Sequence, residues 1–161
     1  MVTSQQIKEE IIKTAQREGV DPNFALAIFE HESGLRQYTK SGDILKGPPI
    51  KTKRGNIYAY GVAQLLESTA KQYGVKDITD YQQNISGGVK YLKDLFKKHG
   101  RNYKSVLKEY GGFVKADPTK YIGDITKRFI KFSLETGIII RIELTKLDLE
   151  YLRKNYKNYR G

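Results

Sequence analysis

One glutamate in this sequence stands at the end of an apolar helix, where a carboxyl group can carry out acid chemistry. Asp21 followed by Pro22 predicts the helix start, and Ser33–Gly34 predicts its end directly after Glu32. Helix carbonyls leave partial negative charge at this end, and burial beside apolar side chains also disfavours an ionised carboxylate. Both effects favour the protonated form of Glu32, so we expect it to act as a general acid near neutral pH.

The other ionisable groups near this acid predict no metal chemistry. Glu30 lies two positions earlier and should point to the opposite side of the helix as a surface charge. The chain has two histidines, His31 and His99, and no cysteine. We therefore expect no metal site, no cofactor and no disulfide framework.

Four short blocks of the chain follow one another in a distinctive order. Glu32–Gly34 comes first, Gly61–Ala70 (Gly-Val-Ala-Gln-Leu-Leu-Glu-Ser-Thr-Ala) second, and Asn84–Leu92 and Leu107–Gly112 complete the series. In this order they resemble the lytic transglycosylases and goose-type lysozymes, lysozyme-fold enzymes that cut the glycan strands of peptidoglycan. The resemblance covers about residues 7–132 and implies a lysozyme-like fold acting on those strands.

The resemblance also implies roles for individual residues. Gln64 has support from its own context, because a buried amide between small and apolar residues needs a partner such as a sugar N-acetyl group. Ser33 could equally serve only to end its helix, and Tyr110 and Tyr121 could be core aromatics. The implied catalytic residue is Glu32, and the implied substrate-binding residues are Ser33, Gly61, Gln64, Tyr110 and Tyr121.

Several positions depart from the family pattern. Ala63 stands where the family has methionine, and Glu67 stands where it has proline. Gly111 replaces an asparagine whose amide normally helps to bind substrate. The segment between Gly34 and Gly61 is longer than the family minimum. These departures leave the acid in place and change its surroundings.

The mechanism must work with few carboxylates. Most glycosidases pair an acid with a second carboxylate about 5–9.5 Å away, whereas the resemblance supplies Glu32 alone. The N-acetyl oxygen of muramic acid can replace that partner, with Glu32 then removing a proton from the 6-hydroxyl to give a 1,6-anhydro product. If water is the acceptor, the enzyme is a lysozyme-type muramidase, and Asp43, otherwise a turn residue, is the candidate to position that water.

Two non-enzymatic alternatives stay open. The first is a catalytically inactive lysozyme-fold module that binds glycan or a partner protein, consistent with the glycine at position 111. The second is a basic helical nucleic-acid binder, which is not favoured because it gives no reason for the ordered blocks.

The predicted fold class is mainly α, a lysozyme-like fold with a short β element and a C-terminal accessory helix. Residues 1–135 form the catalytic domain, and residues 136–161 form an extension packed on it. The β-branched run Ile138–Leu144 could pair as a strand with Asn56–Tyr60, and Thr145 could cap a terminal helix.

Caps and apolar spacing predict the helices of the catalytic domain, separated by a loop over Leu35–Tyr60. The expected helices run from the Thr3 and Gln6 capping box to Gly19, from Pro22 to Ser33, from Ser68 to Tyr73, through Ile85 to Phe96, from Tyr103 to Tyr110, and from Asp117–Pro118 onward.

Charge and length restrict where such an enzyme acts. The 161 residues form one domain with a net charge of +11, which attracts polyanions such as the anionic polymers of a cell envelope. No apolar run approaches a membrane span, and the first residues open a helix rather than a signal peptide. We therefore expect an extracellular, envelope or virion-associated enzyme, with peptidoglycan as substrate and a phage or envelope protein as a further partner.

Overall fold

The computed structural model describes residues 1–136. Helix accounts for 57% of them, so the prediction of a mainly α, lysozyme-like fold is confirmed. The elements, in chain order, are α1 (Ser4–Glu18), α2 (Pro22–Ser33), β1 (Ile50–Thr52), β2 (Gly55–Ile57), β3 (Ala59–Tyr60), β4 (Leu65–Leu66), α3 (Glu67–Gln72), α4 (Tyr81–His99), α5 (Tyr103–Tyr110) and α6 (Thr119–Thr136).

The first two helices begin and end where their caps predict. The Thr3 hydroxyl accepts from the backbone of Gln6 at 3.1 Å, and the Gln6 side chain accepts from the backbone of Thr3 at 2.8 Å. This reciprocal pair satisfies two amides that a helix start leaves unpaired. Gly19 ends α1 and Gly34 ends α2, both in the left-handed conformation that glycine adopts at low cost.

Helix α2 is the centre of the core. Six consecutive residues, Phe24–Phe29, are at most 3% exposed because α1 and α6 pack against this helix. A helix that is apolar on all sides has to be surrounded. The packing fixes the position of everything at its C-terminal end, including Glu32.

Two glycines in α4, Gly87 and Gly88, let this helix approach the core closely. A Cβ at Gly88 would lie 2.5 Å from the Cβ of Ala63 and 2.8 Å from the ring of Phe29. A Cβ at Gly87 would lie 2.5 Å from the side chain of Val75. Each glycine costs the helix about 1 kcal/mol relative to alanine, and the close approach explains why they are tolerated.

The predicted loop over residues 35–60 contains more regular structure than the strand expected at Asn56–Tyr60, since β1 is also present. Strand β1 pairs antiparallel with β2, joined by Lys53 and Arg54, and β3 pairs antiparallel with β4. All six strand residues of the β1–β2 hairpin are exposed. Strands this short and exposed lack the alternating apolar pattern that would predict them.

The residues expected as a strand at Asn56–Tyr60 lie mostly in β2 and β3. Within the described residues, β2 pairs with β1 and β3 pairs with β4. The strand predicted at Ile138–Leu144 and the helix predicted from Thr145 lie outside the described residues, so the division at residues 135 and 136 stays a prediction.

Candidate active site

Glu32 lies in the last turn of α2 and is half-buried. The hydroxyl of Tyr121, on α6, donates a hydrogen bond to its Oε1 at 2.5 Å. Because α2 and α6 pack side by side, residues far apart in the sequence meet here. The carboxyl group predicted as a general acid therefore has a defined partner and orientation.

The surroundings of Glu32 favour its protonated form. Burial raises the pKa of the Glu32 carboxyl above its ordinary value, and the hydrogen bond from Tyr121 lowers it by a smaller amount. Burial and the nearby Glu32 charge raise the pKa of the Tyr121 phenol, so this hydroxyl keeps its proton and remains a donor. A carboxyl group with a raised pKa is suited to donate a proton near neutral pH.

Tyr110 bonds to the turn over residues 61–64 and lies near enough to Glu32 to be influenced by its charge. Its hydroxyl donates to the carbonyl of Ala63 at 2.6 Å, and its ring lies 6.3 Å from that of Phe29. Burial raises the pKa of the Tyr110 phenol well above its ordinary value, and the charge of Glu32 raises it further. Tyr110 therefore lies within electrostatic reach of Glu32.

Two buried amides hold the turn over residues 61–64. Gln37 accepts from the backbone N–H of Val62 at 2.8 Å, and Asn84 accepts from that of Ala63 at 2.9 Å. Gly61 contacts both side chains, since a Cβ there would lie within 2.5 Å of the Asn84 amide nitrogen and would overlap Gln37. Gly61 therefore shapes the site through its backbone.

Sequence reasoning missed Gln37 entirely. It lies in a loop three residues after Gly34, where no periodic pattern marks it. It is 1% exposed, and its amide also donates to the carbonyls of Ile78 and Thr79. Asn84 had a signal, since it belongs to the third sequence block, but no spacing rule predicts that the two amides meet.

Gln64 ends this turn with an unusual backbone. Its φ of 49° is in the left-handed region, which is uncommon for a residue with a branched or long side chain. Its Nε2 donates to the carbonyl of Gly61 at 2.9 Å, and its Oε1 lies against Gly47. The half-buried amide has a partner in its own turn, and contact with substrate stays a prediction.

Ser33 and Asp43 each form a hydrogen bond that gives the side chain a structural role. Ser33 is 4% exposed, and its hydroxyl donates to the carbonyl of Phe29 at 2.9 Å, which ends the helix. Asp43 is exposed in a turn, where it accepts from the hydroxyl of Ser41 at 2.9 Å. A substrate contact for Ser33 and a water-positioning role for Asp43 both stay predictions.

Glu30 is not the solvated surface charge that its position in α2 predicts. Its carboxylate lies 2.6 Å from Lys131 Nζ and 3.4 Å from Arg128 Nε, both on α6. His31 packs edge-on against the ring of Tyr121, with centroids 5.0 Å apart. These contacts tie the end of α2 to α6, and so they stabilise the geometry around Glu32.

Within residues 1–136, no group of three histidine, aspartate or glutamate side chains could hold a metal ion. The site consists of the Glu32 carboxyl group, the phenols of Tyr110 and Tyr121, and the turn that Gln37 and Asn84 support. The pKa of the Glu32 carboxyl is raised, and its charge acts on both phenols. This arrangement can deliver and accept a proton.

Comparison with known protein families assigns the chain to a family. The family model described as the transglycosylase SLT domain matches residues 9–112, about two thirds of the chain. The match contains Glu32, Gln64 and Tyr110, whereas Tyr121 lies beyond it. No solved structure gave a significant match. Enzymes of this family degrade peptidoglycan, and the chain belongs to the transglycosylase SLT domain family.

Proposed function

We propose that this protein cleaves the glycan strands of peptidoglycan between N-acetylmuramic acid and N-acetylglucosamine, with Glu32 as general acid and then as general base. The observation that carries this proposal is the half-buried Glu32 carboxyl, whose pKa is raised by burial and which accepts a hydrogen bond from Tyr121. Family membership supplies the substrate class.

In the first step Glu32 protonates the glycosidic oxygen as the bond to the muramic C1 breaks. The carboxylate that forms keeps the hydrogen bond from Tyr121, which strengthens when its acceptor becomes charged. In the second step this carboxylate removes the proton from the muramic 6-hydroxyl as the oxygen of that hydroxyl bonds to C1. Glu32 thereby regains its proton, and the product has a 1,6-anhydro end.

A single carboxylate is sufficient if the substrate stabilises the developing cation. Burial raises the pKa of Glu32 and the hydrogen bond from Tyr121 lowers it. Retaining enzymes place a second carboxylate about 5–5.5 Å from the acid, whereas the family resemblance supplies Glu32 alone. The muramic N-acetyl oxygen is therefore the favoured partner.

The decisive variant is Glu32→Gln, which keeps the size of the side chain and its acceptor for Tyr121 but removes the transferable proton. General acid–base catalysis contributes about 10²–10⁴-fold, so clearing of purified sacculi should fall by that factor while the circular dichroism spectrum is preserved. The matched control is Glu9→Gln, the same change at an exposed position of α1. Clearing by the Glu32 variant at the wild-type rate would refute the assignment.

Mass spectrometry of the released fragments separates the two chemistries. Anhydromuramyl ends are the expected result and identify a lytic transglycosylase. Reducing muramic ends would identify a muramidase, and Asp43→Asn would then test whether that residue positions the water. Binding of sacculi without any cleavage by the wild type would favour the inactive glycan-binding module.

The proposed site of action is the cell envelope, because that is where peptidoglycan lies. The net charge of +11 favours approach to anionic envelope polymers. Among the described residues, none of the helices has the length and apolar character that a membrane crossing requires. Association with a phage or envelope protein stays a prediction.

A further inference from the structure

The chain reverses direction sharply at the end of α5. Gly112 adopts a φ of +73°, and its N–H donates to the carbonyl of Glu109 at 3.1 Å. The N–H of Phe113 donates to the carbonyl of Lys108 at 3.0 Å. Together these bonds form a Schellman motif, which closes a helix end in one defined geometry. The backbone of Phe113 is therefore held in place by the helix that carries Tyr110.

The ring of Phe113 lies beside the proposed catalytic centre. Its centroid is 5.0 Å from that of Tyr121, with the ring planes inclined by 46°. Tyr121 in turn donates its hydroxyl to Glu32. Phe113 itself is half-exposed, so its ring offers an accessible apolar surface. The ring of Tyr121 lies between this surface and Glu32.

Gly111 is required because this ring fills the adjacent space. A Cβ at Gly111 would lie 2.6 Å from the Phe113 ring and 2.8 Å from that of Tyr121. The backbone does not demand glycine here, since its φ of −74° suits any residue. The asparagine that the family resemblance places at this position would collide with the two rings.

We propose that Phe113 is a substrate-binding residue whose ring stacks on the apolar face of an N-acetylated sugar next to the cleaved bond. Its ring supplies an aromatic surface next to Gly111, which has no side-chain amide to offer the substrate. Ligand sites combine such apolar surfaces with a few polar groups that fix orientation, and here Glu32 and Tyr121 are the polar groups. The identity of the sugar rests on the proposed function.

Binding measurements in a Glu32→Gln background test this role without turnover. The probe is a soluble oligomer of β-1,4-linked N-acetylglucosamine, titrated by calorimetry. Phe113→Ala and Phe113→Leu should each weaken binding about tenfold, because a lost aromatic contact of about 1.4 kcal/mol corresponds to that factor. Phe113→Tyr should retain the affinity. Val114→Ala, at a neighbouring position that is 84% exposed, is the control.

The leucine variant separates stacking from support of Tyr121. Leucine keeps apolar volume against Tyr121 but has no flat ring, so full affinity in Phe113→Leu would overturn the proposal in favour of packing. Unchanged affinity in Phe113→Ala would also overturn it. In the protein with Glu32 intact, Phe113→Leu should leave the pH dependence of cleavage in place, and a displaced profile would show a positioning role instead.

The outcomes for this inference and for the proposed function are distinguishable. If the wild type fails to cleave sacculi but Phe113→Ala still weakens oligomer binding, the enzymatic proposal fails and the stacking role holds. If the wild type cleaves sacculi and oligomer binding does not depend on Phe113, only the stacking role fails. Thermal melts of each variant exclude loss of folding as the cause.

Discussion

Replacing Tyr121 with phenylalanine removes one atom, the hydroxyl oxygen that donates a hydrogen bond to Glu32 Oε1 at 2.5 Å. The ring remains, and with it the contacts with His31 and Phe113, whose centroids each lie 5.0 Å away. The change therefore isolates the hydrogen bond from the packing. It acts on the step in which Glu32 loses its proton to the substrate.

The size of the effect follows from the change in charge of the acceptor. A hydrogen bond to a neutral group contributes about 0.5–1.5 kcal/mol and one to a charged group about 1.5–3 kcal/mol. The bond from Tyr121 thus strengthens by about 1–1.5 kcal/mol as Glu32 becomes a carboxylate. Each 1.36 kcal/mol is tenfold in rate, so cleavage by Tyr121→Phe should be about tenfold slower where Glu32 is protonated.

The pH dependence provides a second, independent readout. The hydrogen bond from Tyr121 lowers the pKa of Glu32, so its loss raises that pKa further. Proton donation is lost as pH rises through the pKa of Glu32, and the alkaline limb of the cleavage profile should therefore move to higher pH. Release of soluble fragments from purified sacculi, measured across pH, gives both the cleavage rate and the pH of the alkaline limb.

The matched control is Tyr73→Phe. It removes a phenol that also donates to a carboxylate, Asp94, at 2.9 Å, but on an exposed surface. This control should leave the rate and the pH profile unchanged. An unchanged rate in Tyr121→Phe, or an alkaline limb displaced to lower pH, would refute the assigned role of the hydrogen bond.

Three further predictions concern turnover, stability and charge. Gln64→Ala should lower clearing of sacculi with little change in melting temperature, because the side chain bonds only Gly61 among the described backbone groups; unchanged clearing would remove Gln64 from the site. Burial raises the pKa of Glu32, so the wild type should lose stability relative to Glu32→Gln as pH rises from the ordinary value of 4.5 through the folded pKa; melting temperatures that stay parallel across that range would contradict this. Clearing should weaken as salt rises, since exposed charges are screened over about 8 Å at physiological ionic strength; activity independent of salt would mean that the +11 charge does not serve wall binding.

The boundaries of α1 and α2 were predictable because their determinants are local. The capping box joins Thr3 to Gln6, and Gly19 and Gly34 end their helices with bonds to residues at most five positions away. Interactions over such short separations depend little on the rest of the fold. In the short exposed hairpin, Asn56 and Ile57 of β2 lie in the expected strand Asn56–Tyr60, whereas β1 and its pairing with β2 were not predicted.

The sequence alone also placed Glu32 at a helix end. The ordered blocks drew attention to Gln64 and Tyr110, and the family resemblance drew attention to Tyr121. The sequence did not distinguish core aromatics from site residues. That distinction depends on which side chains reach Glu32, and the hydrogen bond from Tyr121 joins residues 89 positions apart.

Only the tertiary structure decided how the site is assembled. The packing of α2 against α6 sets the bond between Tyr121 and Glu32 and the contacts of Glu30 with α6. The turn at the end of α5 places the ring of Phe113 against that of Tyr121. In the sequence, Gly111 indicates the loss of a side-chain amide. In the structure, the rings of Phe113 and Tyr121 fill the space that a side chain at this position would need. Such placements result from many weak contacts distributed over the whole core, and no local pattern along the chain encodes their sum.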